Sequence, residues 1–149
     1  LPIIYLTIEQ AMDVHRKTVE KSGGGSIGAL DANRLASVLA HIQNDDYYPT
    51  LEDKLTHLFF CTNKFYCFED GNKRLAITLC AQFLLNNGYL YAVQPFLYEM
   101  ENISYHVATG SIGKELLKEI IAAILTADEG NEELKLKILH AITPKNQDD

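Results

Sequence analysis

One run constrains this chain more than any other: RLAITLCAQFLLNNG, residues 74–88. Read as a helix over roughly Lys73–Asn86 and stopped by Asn87-Gly88, it is apolar nearly all the way round. A helix with no polar face is buried on all sides, so the rest of the chain has to supply the elements that cover it. The expectation is a fold built around this segment.

The covering elements read as consecutive helices. Thr7-Ile8-Glu9-Gln10 has the spacing of a capping box, and Ile8, Ala11, Met12, His15 and Val19 then recur at helical intervals. Gly23-Gly24-Gly25 ends that helix, because glycine accepts the left-handed cap conformation cheaply. Asp31 is placed to cap a second helix that carries Leu35, Val38, Leu39 and Ile42, and NDDYYPT breaks it. Thr50 caps a third, with Leu51, Leu55, Leu58 and Phe59 inward, and Phe65 leads into a loop. After the central helix, Tyr89–Val93 reads as a short extended piece, and Pro95 opens a helix near Phe96–Thr109. Thr109-Gly110-Ser111 makes a turn before a sixth helix bearing Leu116, Leu117, Ile120, Ile121 and Ile124. A break near Ala127–Asn131 precedes a last, polar-faced helix and a frayed tail. The class is all-α, six to seven helices with at most a small β-hairpin. The chain reads as one domain over 1–149, with its core at about 5–127 and a C-terminal helical extension over 128–149.

Bulk properties exclude several functions. No run of about 18 apolar residues is present, and LPIIYL is too short and lacks the basic flank of a signal peptide. The formal net charge of −7 argues against nonspecific nucleic-acid or anionic-membrane binding, while leaving room for a local basic pocket. Cys61, Cys67 and Cys80 are odd in number and form no CxxC pair. That fits buried free thiols in a reducing cytoplasm. His15, His41, His57, His106 and His140 have no metal-ligand spacing and read as packed or surface residues.

The chemistry concentrates in YCFEDGNKR, residues 66–74. Gly71 allows a sharp turn and close approach of a ligand. Asn72 offers amide donors, and Lys73 and Arg74 put two cations at a helix start, where N–H groups and the helix dipole already attract anions. Arginine grips phosphate oxygens bidentately and lysine acts as a point charge. Asp70 adds one carboxylate beside such an anion, a common way of holding Mg²⁺. Phe68 reads as an apolar anchor that pins the loop. Spacing alone leaves blander readings open: Asp-Gly-Asn as a turn, Lys-Arg as a solvated face, Glu69-Asp70 as an acidic cap. The stretch is neither a Walker A loop nor GxGxxG.

These residues resemble the signature of the Fic/Doc family: His-x-Phe, an acidic residue two later, Gly or Ala, Asn, one residue, and Arg. Phe68, Asp70, Gly71, Asn72 and Arg74 match in register, and Lys73 gives the NKR ending of the Doc (death-on-curing) branch. SGGGSIGALDANRLASVL, YYPTLEDKLTHLFFCTNK and HVATGSIGKELLKEII are similar to flanking segments of that branch, so the likeness covers about residues 5–125. The resemblance implies a compact helical bundle around a central motif helix. It also implies transfer of part of a nucleoside triphosphate, such as ATP, to a Ser, Thr or Tyr hydroxyl of a target protein. Fic-type members transfer the nucleotide monophosphate; Doc-type members are associated with the γ-phosphate. On this likeness Asp70 holds Mg²⁺, Asn72 and the loop N–H groups form an anion hole, and Lys73 and Arg74 clamp phosphates.

One position departs from the family. Its His accepts the proton of the target hydroxyl, and here that place is Tyr66. An unperturbed phenol, with pKa about 10, is a poor base at neutral pH, and loss of a general base typically costs about 10²–10⁴ in rate. Three readings stand: a substitution that disarms a toxic parent, a natural noncatalytic nucleotide-binding module, or a Tyr66 whose pKa is lowered by neighbouring cations. Many family members also carry a Ser/Thr-x-x-x-Glu-Gly/Asn helix whose Glu pairs with the motif Arg. Thr126 and Glu129-Gly130 come one residue short of that spacing, so the expected restraint is a separate antitoxin protein or a preceding segment. Gly23–Gly25 and Tyr47-Tyr48-Pro49 are candidates for target docking or plain surface loops.

Overall fold

The computed structural model describes residues 2–21, 32–66, 74–128 and 130–144. Seven helices follow in order: α1 (Ile8–Lys21), α2 (Ala32–His41), α3 (Leu51–Tyr66), α4 (Leu75–Asn86), α5 (Leu90–Ala108), α6 (Lys114–Leu125) and α7 (Glu132–Ile142). No strand occurs among the described residues, and none of their helices is long and apolar enough to cross a membrane. The expected caps at Gly23–Gly25 and Asp31 lie outside the described residues.

Local chemistry sets the helix ends. Thr7 and Gln10 form the reciprocal capping box: Gln10 N–H donates to Thr7 Oγ1 at 3.1 Å and Thr7 N–H to Gln10 Oε1 at 3.0 Å. Thr50 repeats the device with Asp53, whose N–H donates to Thr50 Oγ1 at 3.1 Å. At the end of α4, Gly88 takes φ +84°, so that Tyr89 N–H reaches Leu84 O at 3.0 Å and Gly88 N–H reaches Leu85 O at 3.1 Å. That six-to-one and five-to-two pairing is the Schellman stop, and it needs the left-handed turn glycine provides.

α4 is buried on nearly every side, through Leu75, Ile77, Leu79, Cys80, Phe83 and Leu84 among others, and packs on α1, α3 and α5. It shares the centre with α3, which packs on α2, α4, α5 and α6. α7 docks on α6 through Leu134 and leaves Leu136 and Leu139 exposed.

Two boundaries differ from the sequence reading. Tyr89–Val93 is not extended: Leu90–Ala108 is one helix with Pro95 inside it. Ala92 starts a buried stripe continued by Phe96, Met100, Ile103 and Val107, and that 3.6-residue period outweighs the local alternation of Tyr89, Tyr91 and Val93. Pro95 removes only its own N–H, near the exposed start of the helix. In the same way α3 runs through Phe65 to Tyr66, because Tyr66 extends the inward stripe of Leu55, Leu58, Phe59 and Thr62.

Candidate functional site

The proposed loop is carried between the C-terminus of α3 and the N-terminus of α4. Phe68, Asp70, Gly71, Asn72 and Lys73 lie outside the described residues, as does Cys67. The structure places the two flanks, Tyr66 and Arg74.

Tyr66 is the last residue of α3, and its side chain is 1 % exposed. It belongs to the hydrophobic core, with Phe65 set edge-on at 6.1 Å between ring centroids. Arg74 sits immediately before α4 as its N-cap residue, makes no side-chain cap bond, and lends its carbonyl to Thr78 N–H at 3.0 Å. Its side chain is about half exposed, and Nη2 lies 3.1 Å from Glu101 Oε2 on α5. The start of α4 is thereby tied to the middle of α5. Asn63 fixes α3 against α5 by donating from Nδ2 to Ser104 O at 3.2 Å, one turn before Tyr66.

Beside Arg74 a groove of about 620 Å³ opens between α1 and α4, with Leu97 of α5 on its wall and Leu6 and Val14 providing further apolar surface. Its size falls within the usual range for small-molecule sites, about 300–1,000 Å³. Sequence reasoning missed this groove and Glu101. Nothing local announces either, since Glu101 is distant in sequence from Arg74 and the groove needs α1 laid along α4.

The other end of α3 holds a second polar cluster. His57 is 9 % exposed, accepts a 2.8 Å hydrogen bond at Nδ1 from Lys114 Nζ, and meets Tyr48 Oη through Nε2 at 3.3 Å. Burial, and then the Lys114 and His41 charges, depress its pKa to about 4, so the ring is neutral at pH 7. Lys54, one turn earlier, is 1 % exposed and stays charged. Burial opposes that charge, but Asp45 Oδ1 at 2.7 Å and the Tyr5 hydroxyl outweigh it and raise the pKa. Its ammonium also donates to Ile42 O at 2.8 Å, just past the end of α2. Both clusters are packing devices, consistent with the sequence reading of the histidines. Among the described residues no three His, Cys, Asp or Glu side chains converge as a metal site. Burial pushes up the Cys61 and Cys80 thiols, and both are free; Cys80 is buried as expected, while Cys61 is only partly buried.

The family model described as Fic/DOC family matches residues 5–84, just over half of the chain. The chain belongs to the Fic/DOC family. The matched segment runs from before α1 to late α4 and includes both flanks of the loop, and this Fic/DOC chain continues beyond it through α5, α6 and α7. No curated protein and no solved structure matches the chain.

Proposed function

We propose that this Fic/DOC chain, taken as a single domain, is a Doc-like, toxin-type transferase scaffold. Its α3–α4 loop takes a nucleoside triphosphate, ATP or another, and moves a phosphate or a nucleotide monophosphate to a Ser, Thr or Tyr hydroxyl of a target protein. For phosphate transfer, the hydroxyl oxygen bonds the γ-phosphorus, the bond from that phosphorus to the β–γ bridging oxygen breaks, and the nucleoside diphosphate leaves. The hydroxyl proton needs an acceptor. Lys73, Arg74 and the Asn72 amide neutralise and position the phosphates, which is the main task in this chemistry. Mg²⁺ on Asp70 would supply further charge neutralisation when bound.

Tyr66 carries the reading of impaired turnover. A phenol sealed in the core at 1 % exposure is badly placed to take a proton from an incoming hydroxyl. The same observation favours a second reading, a noncatalytic module that binds a nucleotide through the same cradle. A separate antitoxin protein, or a preceding segment, is the proposed restraint on the domain.

The test is Tyr66→His against the parent chain, incubated with cell lysate and with α- or γ-labelled ATP. A gain of protein label on Tyr66→His supports the disarmed-transferase reading, and the label position gives the moiety moved. Labelling by the parent that Tyr66→His does not increase sinks it. Absence of label with both, together with Mg²⁺-dependent ATP binding that Lys73→Ala and Arg74→Ala abolish, selects the noncatalytic module.

A further inference from the structure

We infer that Asn63, with Thr62 beside it, is a positioning residue for an imidazole at position 66, and that the scaffold keeps this socket although Tyr66 now fills it. The inference rests on the transferase reading above and deepens it at the proton-accepting position.

Two atoms one turn before Tyr66 lack what buried polar atoms need. Thr62 and Asn63 are each 1 % exposed, and Thr62 Oγ1 and Asn63 Oδ1 find no hydrogen-bond partner among the described residues. Leaving such atoms unpaired is costly, and few folded proteins keep many of them without a reason. The helix offers Thr62 an outlet that it does not take. Thr18 and Thr78, on α1 and α4, bond their hydroxyls back to the carbonyls of Val14 and Arg74, four residues earlier. Asn63 is held by its other atom: Nδ2 donates to Ser104 O of α5 at 3.2 Å, and Oδ1 is left over.

Position 66 is what the two atoms share. It lies four residues after Thr62 and three after Asn63 on α3, the two spacings at which helical side chains meet. Helical side chains also lean toward the N-terminus, so the group at 66 covers the turn that holds both. The phenol of Tyr66 carries its polar atom at the far tip of the ring. An imidazole carries a nitrogen next to the ring carbon that joins the chain, within reach of a partner one turn back. With Asn63 Oδ1 accepting from Nδ1–H, the tautomer is fixed and the Nε2 lone pair is left to take the proton of the hydroxyl. This is the orienting third group that an activating base uses. The leftover acceptor favours the disarmed transferase over the noncatalytic module, which has no use for it.

The experiment reads imidazole nitrogen NMR shifts in the full chain carrying Tyr66→His, the new ring being assigned by difference from the parent. Asn63→Leu, Asn63→Asp and Thr56→Val are then added one at a time, with Asn63→Ala in place of Asn63→Leu if that chain does not fold. Thr56 is the control: its Oγ1 is also buried and unpaired on α3, but it lies about three turns from position 66. In Tyr66→His the ring is expected as the Nδ1–H tautomer. Asn63→Leu releases it, Asn63→Asp keeps it because a carboxylate still accepts, and Thr56→Val changes nothing. Protein labelling from ATP by Tyr66→His is expected to fall about 10- to 100-fold with Asn63→Leu, the scale of a misplaced reacting group, and to recover with Asn63→Asp. Both variants lose the donor to Ser104 O, so a merely structural role would lower both alike. The inference is overturned if Tyr66→His does not fold, if its ring takes the Nε2–H form, or if Asn63→Leu leaves the tautomer unaltered. Label on Tyr66→His without the fixed tautomer removes this inference alone. A tautomer that follows Asn63 with no label on Tyr66→His removes the transferase reading and leaves the socket.

Discussion

Tyr66 and Arg74 bracket residues 67–73 and live in opposite environments. The first ends a helix whose inward stripe it completes, so its ring is core. The second begins a helix at the surface, half exposed beside a groove and within reach of Glu101. The same short stretch of sequence thus joins a residue fixed by packing to one that keeps a surface ion pair. The contrast is one of environment: Arg74 holds its charge at the surface beside Glu101, while Tyr66 is packed into the core.

The largest effect that would break this contrast is on stability. Tyr66→Ala should cost about 3–5 kcal/mol, as large aromatic truncations in cores do, measured by urea unfolding. A loss below about 1 kcal/mol would mean the ring is not part of the core. Acid titration sharpens the picture further along the same helix. His57 titrates near 4 when folded and near 6.5 when unfolded, so its contribution is complete above pH 6.5 and is lost as pH falls toward 4, by up to about 3 kcal/mol. His57→Gln should flatten that window of the stability curve, and an unchanged slope would show that the ring protonates freely. Arg74→Ala should leave stability within about 0.5 kcal/mol but weaken ATP by about 10- to 100-fold, the worth of a charged hydrogen bond to phosphate. Calorimetry that found the reverse order for Tyr66→Ala and Arg74→Ala would invert the assignment. Smallest is Glu101→Gln. The pair it breaks is half exposed, worth about 0–1 kcal/mol, so ATP affinity should rise by no more than about fivefold as a competing carboxylate is removed.

Much of the fold was legible because its causes are local. Thr7 with Gln10, Thr50, and Asn87-Gly88 set helix ends through hydrogen bonds that reach only a few residues, and the reading of all three holds. The errors came where two periods competed: Tyr89–Val93 alternates like a strand over five residues, but its Ala92 belongs to a helical stripe that continues to Val107. The loop signature at Phe68–Arg74 identified the family correctly, although its inner residues lie outside the described structure.

The sequence by itself determined the all-α class, the caps, the apolar central helix and the membership in the Fic/DOC family, since periodicity, capping and motif spacing are properties of neighbours along the chain. Only the tertiary structure decided that Tyr66 is sealed, that Arg74 meets Glu101, that His57 is neutral beside Lys114, and that α1 and α4 enclose a groove. Burial, pairing and cavity shape depend on surfaces brought together from distant positions, and a side chain's charge state and reach follow from that company.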